Sequence, residues 1–199
     1  MLTIFEQPAG HQKGRRLPQP YSRASSGKVG SALGVIGNII AGRVLDKEFR
    51  ILTLDGLREV YEEARQELST KRIGILLLRI KTLGDSTLLP FLLKGVVRNL
   101  KTSIRVPTDF VGRADDTTFI VLLTNINKHD LRNVAVRLVD PLSLTVSVGE
   151  RSVTCVVSIS CVHGSELEED KVTFDDLYKT ALMRMKKGQS DRGSGIHCG

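Results

Sequence analysis

The chain has 199 residues, 41% of them hydrophobic, which suits one domain with a buried core and room for a tail. No apolar run approaches the ~18 residues a transmembrane helix needs. The opening MLTIFEQPAG lacks the basic start and long apolar core of a signal peptide, so a cytoplasmic protein is expected. The net charge of +7 invites a nucleic-acid reading, but the basic residues are scattered, aromatics make up 5% and Trp is absent. Without aromatic stacking positions on a basic stripe, no specific nucleic-acid partner is expected.

In chain order, residues 1–28 carry Pro, Gly, Ser, Lys and Arg with no hydrophobic period and read as a flexible basic tail. GKVGSALGVIGNIIAGRVL, 27–45, places Gly30 and Gly34 four apart among Ile36, Ile39 and Ile40. Repeated glycine weakens an isolated helix, yet so many aliphatics belong under cover. A connector packed on the domain and a docking segment for a partner or a second copy are both open. Residues 1–45 together are thus expected to lie outside the folded core.

From 46 the texture is that of a domain. LDGLREVYEEARQELST, 54–70, has a helical apolar face with Asp55 as N-cap. RIGILLLRI, 72–80, is a central strand covered on both faces. A helix follows over 88–101, with Pro90 in its first turn. Residues 109–126 read as strand, tight turn, strand, and 128–140 as an amphipathic helix. Residues 142–164 form a strand pair turning at Gly149-Glu150, and 174–188 the last helix. Residues 191–199 read as a loose tail. The order α β α β β α β β α predicts an α/β fold: a palm-like mixed sheet covered by helices.

Cys155 and Cys161 share one strand, about 20 Å apart at ~3.3 Å per residue. They cannot bond to each other. Both read as buried free thiols, while Cys198 falls in the loose tail. His129 and His163 have no ligand-spaced neighbours, so no metal site and no cofactor are expected. Glu166, Glu168, Glu169 and Asp170 read as a solvated acidic loop.

Four elements in order resemble the GGDEF (diguanylate cyclase) family over roughly 46–190. Leu54-Asp55-Gly56-Leu57 resembles its opening motif. Arg113-Ala114-Asp115-Asp116-Thr117-Thr118-Phe119 resembles the signature hairpin. Val157-Ser158-Ile159-Ser160 resembles its later strand, and Ala181-Leu182-Met183-Arg184-Met185-Lys186 its final helix. The resemblance implies two Mg²⁺-binding carboxylates acting on GTP. Here Arg79 stands where the strand's metal Asp is expected. Thr117 and Thr118 stand where the turn carries acids, and Asp115 and Asp116 where it carries glycines. The segment between Arg79 and Pro90, which holds the base-reading residues in the family, is several residues short. No catalytic residue is therefore assigned, and the expectation is a degenerate, non-catalytic domain working through a protein partner or a homodimer. Asp115 and Asp116 themselves read as turn formers or as a new cation or partner site.

The alternative is a cyclic di-GMP receptor. The family's upstream RxxD reads here as Arg105-Val106-Pro107-Thr108-Asp109, one residue too long. A one-residue slip in an extended segment turns a side chain to the other face, unless Pro107 bends the chain. Arg105, Asp109 and Arg98 are the ligand-binding candidates.

Overall fold

Twelve residues from Ile73 to Gly84 make the central strand, β3, with β5 and β7 along its edges and the described helices on its two faces. The computed structural model describes the backbone of residues 3–5, and residues 45–168, 172–188 and 195–199. Besides β3, the strands are β1 (Thr3–Phe5), β2 (Leu52–Thr53), β4 (Asp109–Arg113), β5 (Thr118–Thr124), β6 (Thr145–Val148), β7 (Arg151–His163) and β8 (Gly195–Cys198). The helices are α1 (Leu54–Glu67), α2 (Leu89–Ser103), α3 (Lys128–Leu142) and α4 (Phe174–Lys187). The sheet runs β1-β6-β7-β3-β5-β4-β2, with β8 also paired to β7. The β2–β4 and β7–β8 pairs are parallel and the others antiparallel, so the sheet is mixed.

The period of two along β3 sorts the core. Leu76, Leu78 and Ile80 pack with α2 and α3, together with Phe119, Val121 and Leu123 of β5. Ile73, Ile75 and Leu77 pack with Leu57, Val60 and Tyr61 of α1 and Leu177, Ala181 and Met185 of α4. This is the palm-like mixed α/β arrangement expected, with helices on both faces.

Four details depart from the sequence reading. Thr53, not Asp55, caps α1: its hydroxyl accepts from the Gly56 amide at 3.2 Å. Asp55 sits inside the first turn and pairs with Arg58 at 2.5 Å. β3 does not stop at Ile80 but continues to Gly84, in register with β7 as far as Val153. Gly84 has φ of 110°, which glycine tolerates, and a single 3-10 turn at Ser86–Leu88 then leads into α2. The shortened segment after Arg79 is thus taken up as extra strand.

The third and fourth departures are at the ends. Thr3–Phe5, expected as tail, pairs antiparallel with β6. The expected loose tail after 191 contains β8, parallel to β7, and Cys198 is bonded to Cys161. Only Cys155 is a buried free thiol. The reason is register: β8 sets Cys198 directly opposite Cys161, a pairing across 37 residues that no local pattern signals.

Candidate functional site

The signature hairpin joins β4 to β5 beside the middle of β3. Arg79 of β3 lies in one transverse row with Thr118 of β5 and Ser158 of β7. By strand alternation this row faces the α1 and α4 side. Arg79 is half-buried, while Thr118 and Ser158 are buried. The Thr118 hydroxyl oxygen, and that of Ser160 in the next row, have no hydrogen-bond partner among the described residues. Tyr178 of α4 stands near this row. Burial raises its pKa and Asp115 adds to the rise, while Arg79 and Arg58 oppose it.

The turn is held by hydrogen bonds rather than by glycines. The Ala114 amide donates to the Thr118 carbonyl at 2.9 Å, and the Ile80 amide to the Thr117 carbonyl at 2.9 Å. Asp115 Oδ1 accepts from the Thr117 amide at 2.9 Å, a turn-forming use of the side chain. Asp115 and Asp116 are otherwise exposed.

Arg113 ties this turn to the chain before β2. Its Nε donates to the Asp115 carbonyl at 3.0 Å and its Nη2 to that of Asp116 at 3.3 Å. Its Nη1 donates to Asp46 at 3.2 Å and Glu48 at 2.9 Å. The guanidinium lies 4.8 Å from the centroid of the Phe49 ring. Burial works against the charge, but Glu48 and Asp46 outweigh it and raise the pKa of Arg113. Asp46, Asp55, Asp115 and Asp116 line a shallow groove with Arg113. Asp46, Glu48 and Phe49 were not foreseen, because they are more than 60 residues from Arg113 in sequence. No group of three or more His, Cys, Asp or Glu side chains among the described residues is set to hold a metal ion.

The upstream candidates are brought together in part. A tight turn over 105–109, with the Asp109 amide donating to the Arg105 carbonyl at 2.8 Å, puts both side chains on the same side. Arg105 Nε and Nη2 each reach Asp109 at 2.8 Å, and Nη2 also donates to the Thr124 carbonyl at 2.8 Å. The Asp109 hydrogen bond, above its plain charge and that of Asp130, raises the pKa of Arg105 against the cost of burial. Arg98 is exposed on α2, and no hydrogen bond or ion pair joins it to Arg105 or Asp109 among the described residues.

The acidic loop differs from expectation at its first member. Glu166 is largely buried and pairs with Arg184 at 2.6 Å. His163 is buried as well, bridging Ser165 and the Ile126 carbonyl. The docking residues Gly30, Gly34, Ile36, Ile39 and Ile40 lie outside the described residues, as do Glu169 and Asp170.

A mixed sheet with helices on both faces and a charged hairpin beside its central strand makes this a palm-like α/β domain. A family model described as "Diguanylate cyclase, GGDEF domain" matches residues 90–193, and the chain belongs to this family. Among curated proteins nothing matches. Among solved structures, the diguanylate cyclase SiaD of Pseudomonas aeruginosa, in complex with its activator SiaC, is 17% identical with a TM-score of 0.64. That match covers 85% of this chain and 66% of SiaD, so the chain spans just under two thirds of it. The GGDEF domain of FimX from the same organism is 14% identical, with a TM-score of 0.55, covering 78% of this chain and 99% of that one. The GGDEF domain of DgcB from Caulobacter crescentus, in complex with c-di-GMP, is 8% identical, with a TM-score of 0.61, covering 79% and 96%. At these identities the likeness is one of fold.

Proposed function

We propose that this chain is a catalytically inactive GGDEF domain, a cytoplasmic interaction or regulatory module in bacterial cyclic di-GMP signalling. The observation that carries the reading is Arg79. A fixed guanidinium stands in the row Thr118–Arg79–Ser158, at the strand position where the family resemblance expects a metal carboxylate. A guanidinium repels Mg²⁺, and a neutral hydroxyl beside it does not compensate. The residues present do not fit the metal pair that cyclisation needs. The signature turn is also bound to its own chain through Arg113, which suits a structural role for the hairpin.

A module without chemistry acts by binding. The glycine-rich segment with Gly30, Gly34, Ile36, Ile39 and Ile40 is the proposed docking element, for a protein partner or a second copy. That SiaD was solved with an activator protein supports a GGDEF domain working in a protein assembly. Removal of residues 1–45, which takes β1 off the edge of β6 as well, should leave a cooperatively melting core that has lost self-association or partner binding. Unfolding of the truncated chain would refute the docking role.

The receptor reading has one observation in its favour, the convergence of Arg105 and Asp109. Against it, the fork of Arg105 is spent on Asp109 and Thr124, and the Asp109 side chain is only 2% exposed. Calorimetric titration with cyclic di-GMP, and separately with GTP and Mg²⁺, tests the proposal. No heat with either ligand is expected. Cyclic di-GMP binding lost in Arg105→Ala would establish the receptor reading, and product formed from GTP would overturn inactivity.

A further inference from the structure

The outer edge of β7 is shared between two strands. β3 takes the inner edge along its whole length from Val153 to His163. On the outer edge β6 covers Arg151–Thr154, and β8 covers Ser158–Cys161. β8 is four residues long, and its register sets Cys198 opposite Cys161 with the sulfurs bonded. Apart from that bond, a short parallel pairing and the packing of Ile196 and Cys198 on the core hold it in place. A four-residue edge strand is marginal by itself.

The bridge is not sealed inside. Cys161 is 2% exposed, but Cys198 is half-buried, and both line a pocket with Lys128, His129 and Arg132 at the start of α3, where Glu166, 3.7 Å from Lys128 and 2.6 Å from Arg184, and the terminal Gly199 are the acidic members. Cationic side chains beside a disulfide gather anionic thiols and favour a departing thiolate. The remaining thiol, Cys155, is buried, and burial pushes its pKa up to about 11. It is too far along β7 to compete for either sulfur.

We propose that Cys161–Cys198 is a thiol–disulfide exchange site that decides whether β8 seals the outer edge of β7, with a small anionic thiol of the glutathione class as co-reactant. The thiolate attacks Sγ of Cys198, the more exposed residue of the two. The Cys161–Cys198 bond breaks, and Cys161 Sγ leaves with the electron pair and takes up a proton. A second thiol then attacks the mixed disulfide, freeing Cys198 as a thiol and releasing the oxidised co-reactant. Two electrons and two protons pass to the protein. With the bridge open, the amide and carbonyl groups of Ser158–Cys161 become a free strand edge, which an extended segment of a partner can extend. This inference does not depend on the domain being inactive.

The test uses the full chain, equilibrated in oxidised or reduced glutathione, acid-quenched, alkylated under denaturing conditions and weighed. One of the three cysteines should be alkylated in the oxidised sample, and all of them in the reduced one. Amide exchange in 158–161 and 195–198 should speed up by about tenfold or more on reduction. Cys198→Ser should exchange like the reduced protein under both conditions. Replacing Lys128 and Arg132 together by Gln should slow reduction by glutathione, with no effect on reduction by neutral mercaptoethanol. Full alkylation in the oxidised sample, or exchange indifferent to reduction, would overturn the proposal. Equal slowing with both thiols would overturn the anionic co-reactant.

Discussion

Arg105 grips Asp109 with two hydrogen bonds, Nε to Oδ2 and Nη2 to Oδ1, both 2.8 Å. One partner is 55% exposed and the other only 2%, so the pair anchors a buried carboxylate from the surface. Arg105→Ala is expected to destabilise the fold by about 2 kcal/mol, because it leaves a desolvated carboxylate short of its charged donor. Arg105→Lys should recover only part of this, since an ammonium cannot offer the planar fork. Urea unfolding midpoints decide it. A midpoint unchanged in Arg105→Ala would mean that the remaining amide donors, Arg105 and Thr124, suffice for Asp109.

If Arg79 were the sole obstacle to catalysis, restoring acids would restore it. The doubly substituted Arg79→Asp, Thr117→Glu protein is expected to make no cyclic di-GMP from GTP with Mg²⁺ or Mn²⁺. The stretch after Arg79, where the family resemblance expects base-reading residues, is strand as far as Gly84, and on the proposed reading it would not hold the base. Product detected by chromatography from the double variant would show that the metal acids alone limit the chemistry.

Tyr61 is fully buried in the α1–α4 layer, and its hydroxyl donates to the Val172 carbonyl at 2.7 Å. Burial, with small contributions from Glu62 and Asp176 opposed by Arg65, pushes its pKa from 10.0 up to about 12. The raised value stabilises the fold fully below pH 10, and that contribution is lost as the pH climbs through 12. The linkage amounts to about 2–3 kcal/mol. Denaturant midpoints of the native protein should therefore fall more steeply over this window than those of Tyr61→Phe. Tyr61→Phe itself should cost about 1 kcal/mol at neutral pH for the lost hydrogen bond. Parallel curves for the two proteins would contradict the assignment.

Gly112 lets α1 sit down on β4. A Cβ there would lie 2.7 Å from Leu57 Cγ and 3.0 Å from the Leu52 carbonyl oxygen. Gly112→Ala is expected to lower stability by about 1–3 kcal/mol by forcing Leu57 or the β2 backbone aside. A melting temperature equal to that of the parent would show that Leu57 rotates away at no cost.

Hydrophobic period was enough to lay out the domain. The apolar run at 73–78 demands cover on both faces, and the helical stripes of 54–68, 131–138 and 177–185 supply much of it. The hairpin motif around Arg113–Phe119 and the order of the elements carried the family. These are local signals: side-chain spacing along one element shows in the residues themselves. Cap choice was already less legible, because Thr53 and Asp55 are both good N-cap types and only backbone geometry picks Thr53.

What the tertiary structure alone decided are the meetings of residues far apart in the chain. Arg113 reaches Asp46, Glu48 and Phe49 only once β4 has paired with β2. Arg105 and Asp109, which a straight strand would hold about 13 Å apart, meet because the chain turns between them. Cys161 finds Cys198 through strand register, and Glu166 finds Arg184 when α4 packs beside β7. A sequence records which groups each residue carries, but charge pairing and strand register depend on distances that exist only after the core has closed.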